Sequence, residues 1–209
     1  IPKMSPPQTA PTSSPETLLD RFEVTGGNNG NDTIINSGSN VLINGSTKGS
    51  NVISIGAGAS NVTVHTSKKN ETITSASDGG NVFVIGEGAQ SSNDTIFGFK
   101  ANDTLVLAEN ISISSTTQDA KGFTISLTSG TGDDAVAYGS VVLAGVETGI
   151  ELNIVDNAGN TVEDISVPSA IIGTGNQDIV SNAKDNFQIS LNGGDDSLNN
   201  SRSNSYIYG

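Results

Sequence analysis

The 209-residue chain has no cysteine, no tryptophan, one methionine and one histidine, with only six Phe and three Tyr. Without cysteine there are neither disulfide staples nor a thiol nucleophile. The single histidine, His65, precludes a His-cluster metal centre and supplies at most one member of a nucleophilic triad. It follows Val64 at a strand end, where an exposed ring is expected. Nine Lys and Arg against 22 Asp and Glu give a net charge of −13 and a pI near 4.1. Nucleic-acid binding needs clustered cations, so that class is excluded. The acidity suits a soluble extracellular protein or one that binds cations, and equally an ordinary solvated surface. No apolar run approaches the roughly 20 residues that span a membrane.

What the chain does have is Gly, Ser, Thr and Asn between short apolar stretches that recur every 9 to 12 residues. The stretches are Asp32-Thr33-Ile34, Val41-Leu42-Ile43, Asn51-Val52-Ile53, Val62-Thr63-Val64, Glu71-Thr72-Ile73, Val82-Phe83-Val84, Asp94-Thr95-Ile96 and Asp103-Thr104-Leu105. A short strand repeated so regularly predicts a coil in which neighbouring turns bury one thin apolar row. Residues two before each final apolar position share its face. They run Asp32, Val41, Asn51, Val62, Glu71, Val82, Asp94 and Asp103. Polar and Val choices alternate through Asp94, which predicts two strands per turn and about 20 residues per turn. One wall then carries Asp32, Asn51, Glu71 and Asp94, and the other Val41, Val62 and Val82.

Residues 1–25 are expected to form a Pro-rich linker and a short helical lead-in. Ser14-Pro15-Glu16 has the form of a helix start, and Leu18, Leu19 and Phe22 supply an apolar face. That segment either plugs the open end of the coil or frays. Residues 26–107 are the solenoid. Over 108–170 the beat gives way to alternating segments around Ile113, Ile125, Val142 and Leu152 between Gly- and Asp-rich turns, predicting an antiparallel β capping module. From Ile171 the repeat style resumes to residue 209. The chain opens at Ile1 and stops at Tyr206-Ile207-Tyr208-Gly209 within a repeat, which raises the expectation of a piece of something longer. The predicted fold is all-β: a right-handed parallel β-solenoid, of β-roll type, with an antiparallel cap and the start of a second solenoid.

Gly26-Gly27-Asn28-Asn29-Gly30-Asn31-Asp32-Thr33-Ile34 and Gly193-Gly194-Asp195-Asp196-Ser197-Leu198 resemble the nonapeptide of the hemolysin-type calcium-binding (RTX) family. The stretch from Asn93 to Leu105 is similar to the segment that ends such arrays in secreted bacterial proteins. The resemblance implies a parallel β-roll, bacterial secretion and Ca²⁺ in the turns. It assigns carboxylate ligands to Asp32, Asp94, Asp103, Asp178 and Asp196, with Asp195 beside the last. Oxygen ligands of this kind suit Ca²⁺. The glycine spacing departs from the family pattern at each of these positions, and Asn replaces a carboxylate at position 51. The alternative is that Asn and Thr columns bond from turn to turn, as ladders do in other stacked strands.

Asp133-Asp134 and Asp195-Asp196 have the composition of paired glycosidase carboxylates, but they sit in Gly-rich turns without aromatic platforms. Gly-x-Gly segments at Gly56, Gly86 and Gly173 lack a following helix to hold phosphate. Asn-x-Ser/Thr sites at Asn31, Asn44, Asn61, Asn70, Asn93, Asn102, Asn110 and Asn199 are glycan acceptors in form, and the repeat generates them automatically. The expected function is structural: a stiff segment of a secreted bacterial surface or matrix protein, calcium-stabilised or self-supporting, with self-assembly into homo-oligomers or filaments. The rival is an adhesin module that grips cell-surface glycans, for which only Phe83 and Phe97 offer aromatic surface. No enzyme is expected, because the stack lacks acidic residues clustered with Arg, Lys or His.

Overall fold

A computed structural model of the chain describes residues 22–209 apart from 28, 46–47, 87–91, 120–121, 131, 163, 183–186 and 202. The expected linker and the helix start at Ser14 fall outside the described residues. Phe22, assigned above to the helix, instead begins the first strand.

The repeat units form β1 (Phe22–Thr25), β2 (Thr33–Asn36), β3 (Val41–Asn44), β4 (Val52–Ile55), β5 (Thr63–His65), β6 (Thr72–Ser75), β7 (Val82–Ile85), β8 (Asn93–Phe97) and β9 (Thr104–Leu107). Odd-numbered strands pair in parallel with one another, and so do even-numbered ones. The chain therefore coils as a β-solenoid with two walls, and equivalent residues lie 19 to 23 positions apart. Among the described residues the only helical element is the 3-10 turn Gly132–Asp134.

Alternation within each strand sends one residue of every unit into the space between the walls. On the even wall Ile34, Ile53, Ile73 and Ile96 stand in register, and all are buried. On the odd wall the matching row is Val24, Ile43, Val64, Phe83 and Leu105. Phe83 meets Phe99 with ring centroids 5.8 Å apart, so the pair fills the interior across the last turns. The rows join in one continuous apolar cluster. At the corners the chain uses left-handed residues that only Gly and a few polar types tolerate. Asn40 (φ 58°) and Asn61 (φ 53°) precede β3 and β5 at equivalent corners and bond to each other through their side-chain amides at 3.3 Å.

Beyond β9 come β10 (Ile111–Asp119), β11 (Gly122–Ser129), β12 (Val136–Ala144), β13 (Glu151–Asp156) and β14 (Ile165–Ser166). β10, β11 and β12 are antiparallel neighbours, as the alternating segments predict. Yet β12 also pairs in parallel with β8, and β13 with β9. The coil thus takes one further turn, and the antiparallel strands extend its two walls. Leu143 and Ile154 continue the two apolar rows, and Phe123, Ile125 and Leu127 of β11 lie buried beyond them.

A second, smaller set follows. β15 (Ser169–Ile172), β17 (Phe187–Ser190) and β19 (Tyr206–Tyr208) form one parallel sheet, and β16 (Ile179–Asn182) and β18 (Ser197–Asn200) another. Its buried apolar residues, Val180 and Ile189, are not part of the main cluster.

Candidate functional site

The polar residues singled out in the sequence occupy the column two positions before each inward apolar residue. On the even wall this column is Asp32, Asn51, Glu71 and Asp94, as expected, and Val141 of β12 continues it. On the odd wall the expected column is corrected by one residue. In β7 Phe83 and Ile85 point inward while Val82 and Val84 are half-buried, so Asn81 takes the place expected for Val82. The odd column therefore runs Val41, Val62, Asn81 and Asp103, and Leu152 succeeds it. The unbroken run Val82-Phe83-Val84-Ile85 conceals the two-residue period. The one available clue was that a Phe ring is too large to leave outside while Val goes in.

Asn51, Asn81, Asp94 and Asp103 each accept a backbone N–H from the turn before. Asn51 Oδ1 receives the Asp32 amide at 3.1 Å, and Asp94 Oδ1 receives the Glu71 amide at 2.9 Å. Asn81 Oδ1 receives the Val62 amide at 3.2 Å, and Asp103 Oδ1 receives the Asn81 amide at 2.8 Å. These amides lie just before the strands, where the parallel ladder has not begun. A buried N–H left unpaired there costs about 1–3 kcal/mol. The side chains supply the missing acceptor, so the columns act as struts between turns.

The second oxygen of each acid is also engaged. Ser67 N–H donates to Glu71 Oε2 at 2.6 Å, and the Asn51 amide donates to Glu71 Oε1 at 2.7 Å. Ser92 Oγ donates to Asp94 Oδ2 at 3.3 Å, and Lys100 N–H to Asp103 Oδ2 at 2.8 Å. Tyr138 of β12, itself buried, is bonded to Ser92 and closes this network under the added turn. Ser67, Ser92 and Tyr138 carry no motif in the sequence; only the coil brings them beside the acids. The buried Thr66 hydroxyl lies beside Asp94 without completing a hydrogen bond of good geometry.

Burial disfavours the charged form of these acids. It pushes the Asp94 carboxyl up to about 7, with the neighbouring Glu71 adding to the rise and the Glu71 amide opposing it. Burial likewise raises Glu71 and Asp103 above the usual carboxylate range, against the hydrogen bonds they accept.

The six acids assigned as ligands are not gathered at one place. Asp32 and Asp94 share a column but are separated by Asn51 and Glu71, and Asp103 is on the other wall. Asp32 Oδ2 accepts the Gly27 amide at 3.0 Å. In the second set Asp196 Oδ1 accepts the Asp178 amide at 2.9 Å, and Asp178 Oδ2 accepts the Thr174 amide at 2.6 Å. Asp195 is exposed in the turn beside them. Ca²⁺ requires six to eight oxygens at about 2.3–2.6 Å. Here N–H and O–H hydrogens occupy directions around Asp94, and N–H hydrogens around Asp103, and a donor hydrogen repels a cation. Among the described residues no three acidic or His side chains cluster as a metal site. The donor set of the first stack does not fit Ca²⁺. Of the two aromatics considered for a binding wall, Phe83 is buried and Phe97 is exposed.

No family model, curated protein or solved structure matches the chain.

Proposed function

We propose that the chain is a structural segment, a stiff β-solenoid rod of a secreted bacterial surface or extracellular matrix protein, and that it is not an enzyme. The observation that carries this reading is the pair of in-register apolar rows, continuous from Val24 to Ile154 and strutted at four corners by the side chains of Asn51, Asn81, Asp94 and Asp103 bonded to the preceding turn. Such a stack resists bending because each turn is fastened to the next by backbone ladders, buried side chains and the polar columns together. Secretion rests on the RTX-like motifs at Asp32 and Asp196. In the first stack the acids of those motifs serve as acceptors for backbone amides, so the rod stands without an ion. End-to-end association into filaments follows the same logic, because a sheet edge at the end of a stack offers unpaired N–H and C=O groups to a second copy.

Sedimentation velocity across a concentration series, with negative-stain electron microscopy of the same samples, tests this reading. The expected result is an elongated particle that lengthens by end-to-end addition as concentration rises. A compact, monodisperse globule at every concentration would contradict it.

A further inference from the structure

Three buried side-chain oxygens lack a hydrogen-bond partner among the described residues, and two of them, Gln118 Oε1 and Gln188 Oε1, belong to residues that line a single recess. Its two walls come from parts of the chain far apart in sequence. Gln118 of β10 stands opposite Phe123 of β11, so it shares the inward face of that hairpin. Gln188 of β17 stands beside Tyr206 of β19, and Tyr208 lies two residues along on the same face. That face is turned away from Ile189, the buried residue of the small sheet. Between the walls is a cleft of about 80 Å³ that opens to solvent, room for part of a ligand whose remainder lies across its mouth.

The lining is chemically narrow. It contains amides, the Thr116 and Thr117 hydroxyls, the Phe123 and Pro168 apolar surfaces and two tyrosines, with no charged residue. Tyr206 is 61% exposed and Tyr208 49%, which is much ring surface to leave in water. An unpaired buried amide oxygen costs about 1–3 kcal/mol. The last side-chain torsion of Gln is soft, so each amide can turn its oxygen toward the recess. A ligand that satisfies the site must bring hydrogen-bond donors for two acceptors and an apolar face for the tyrosine rings. The net charge of −13 and the lack of a cation in the lining disfavour an anionic ligand. A purely apolar ligand would leave both amide oxygens orphaned.

We propose that this recess binds a neutral saccharide, with sugar hydroxyls donating to Gln118 and Gln188 and one sugar face stacked on Tyr206 or Tyr208. It is a site separate from the stack's polar columns and does not depend on the rod reading.

Tyrosine emission makes a direct readout, because the chain has no tryptophan and its only other tyrosine, Tyr138, is buried. The full chain is titrated with neutral oligomers of glucose, mannose, galactose and N-acetylglucosamine, and in parallel with sialylated and sulfated glycans. At least one neutral oligomer is expected to saturate a change in tyrosine emission at millimolar concentration or below. Tyr206→Ala and Gln118→Met, on opposite walls, are each expected to weaken it by about tenfold, or about 1.4 kcal/mol, with unchanged circular dichroism and melting. Should Tyr206→Ala disturb the small sheet, Gln118→Met on the hairpin still decides the question. The proposal is overturned if no neutral oligomer binds, if only charged glycans bind, or if folded Gln118→Met binds as the parent chain does.

Discussion

The chain builds parallel β-stacks twice, and the two differ in how far they close. In the first, rows of five or more apolar residues run through each wall and every inner residue from Ile43 to Ile154 is buried. In the second, Val180 and Ile189 are buried while Ile207, in register with Ile189, is 49% exposed. The same repeat chemistry therefore gives different results with turn number. Turns flanked on both sides bury their inner residues most completely, whereas the edge strand β19 leaves Ile207 half exposed.

The largest expected effect comes from emptying an interior turn. Phe83→Ala, which also strands Phe99, should cost about 3–5 kcal/mol and lower the chemical-denaturation midpoint of the first stack. Ile189→Ala should instead erase hydrogen-exchange protection in β15–β19 and leave β1–β9 protected. Loss of protection in both stacks from the Ile189 change would show that they fold as one unit.

The next effect is the pH dependence of the first stack. The Asp94 carboxyl titrates near 7 in the folded state, above its ordinary value of 3.8, so between those limits the folded chain holds a proton that the unfolded chain has released. Its contribution to stability is thus complete below about 4, declines as pH rises and is lost above about 7, amounting to roughly 4 kcal/mol. Glu71 and Asp103, raised in the same direction, add to the slope. Thermal melts from pH 4 to pH 8 should show the first stack losing stability. Asp94→Asn keeps an acceptor for the Glu71 amide and should flatten most of that slope.

A smaller effect is expected at the corners. Gly98 has φ +77° and sits against the Ser75 carbonyl, so an added methyl group is strained by backbone and by contact. Gly98→Ala should cost about 1–3 kcal/mol, whereas Gly58→Ala, with open space around it, should change the melting temperature little.

The two walls and the turn length were legible because most units alternate polar and apolar residues around a single buried Ile, Val or Leu. The odd column was misplaced by one at Val82, where four apolar residues in a row carry no period. The extra turn made by β12 and β13 was hidden for a different reason. Ser140 pairs with Asn93 across 47 residues, because the hairpin β10–β11 is inserted where the next repeat belongs. The acids were visible, but their role depends on which N–H groups face them, and that is set by coil geometry rather than by residue type. The recess lined by Gln118 and Gln188 left no sequence trace, since its walls are contributed by residues near 118 and near 206.

If the first stack stands on its own apolar rows and amide-accepting columns, it needs no ion. Melting followed by circular dichroism in EDTA and in millimolar Ca²⁺, at pH 6 and pH 8, separates the two cases. The expected result is a first-stack transition that shifts with pH and is the same with and without calcium. A stack that unfolds in EDTA, or whose melting temperature climbs by several degrees with calcium, would show that an ion holds it.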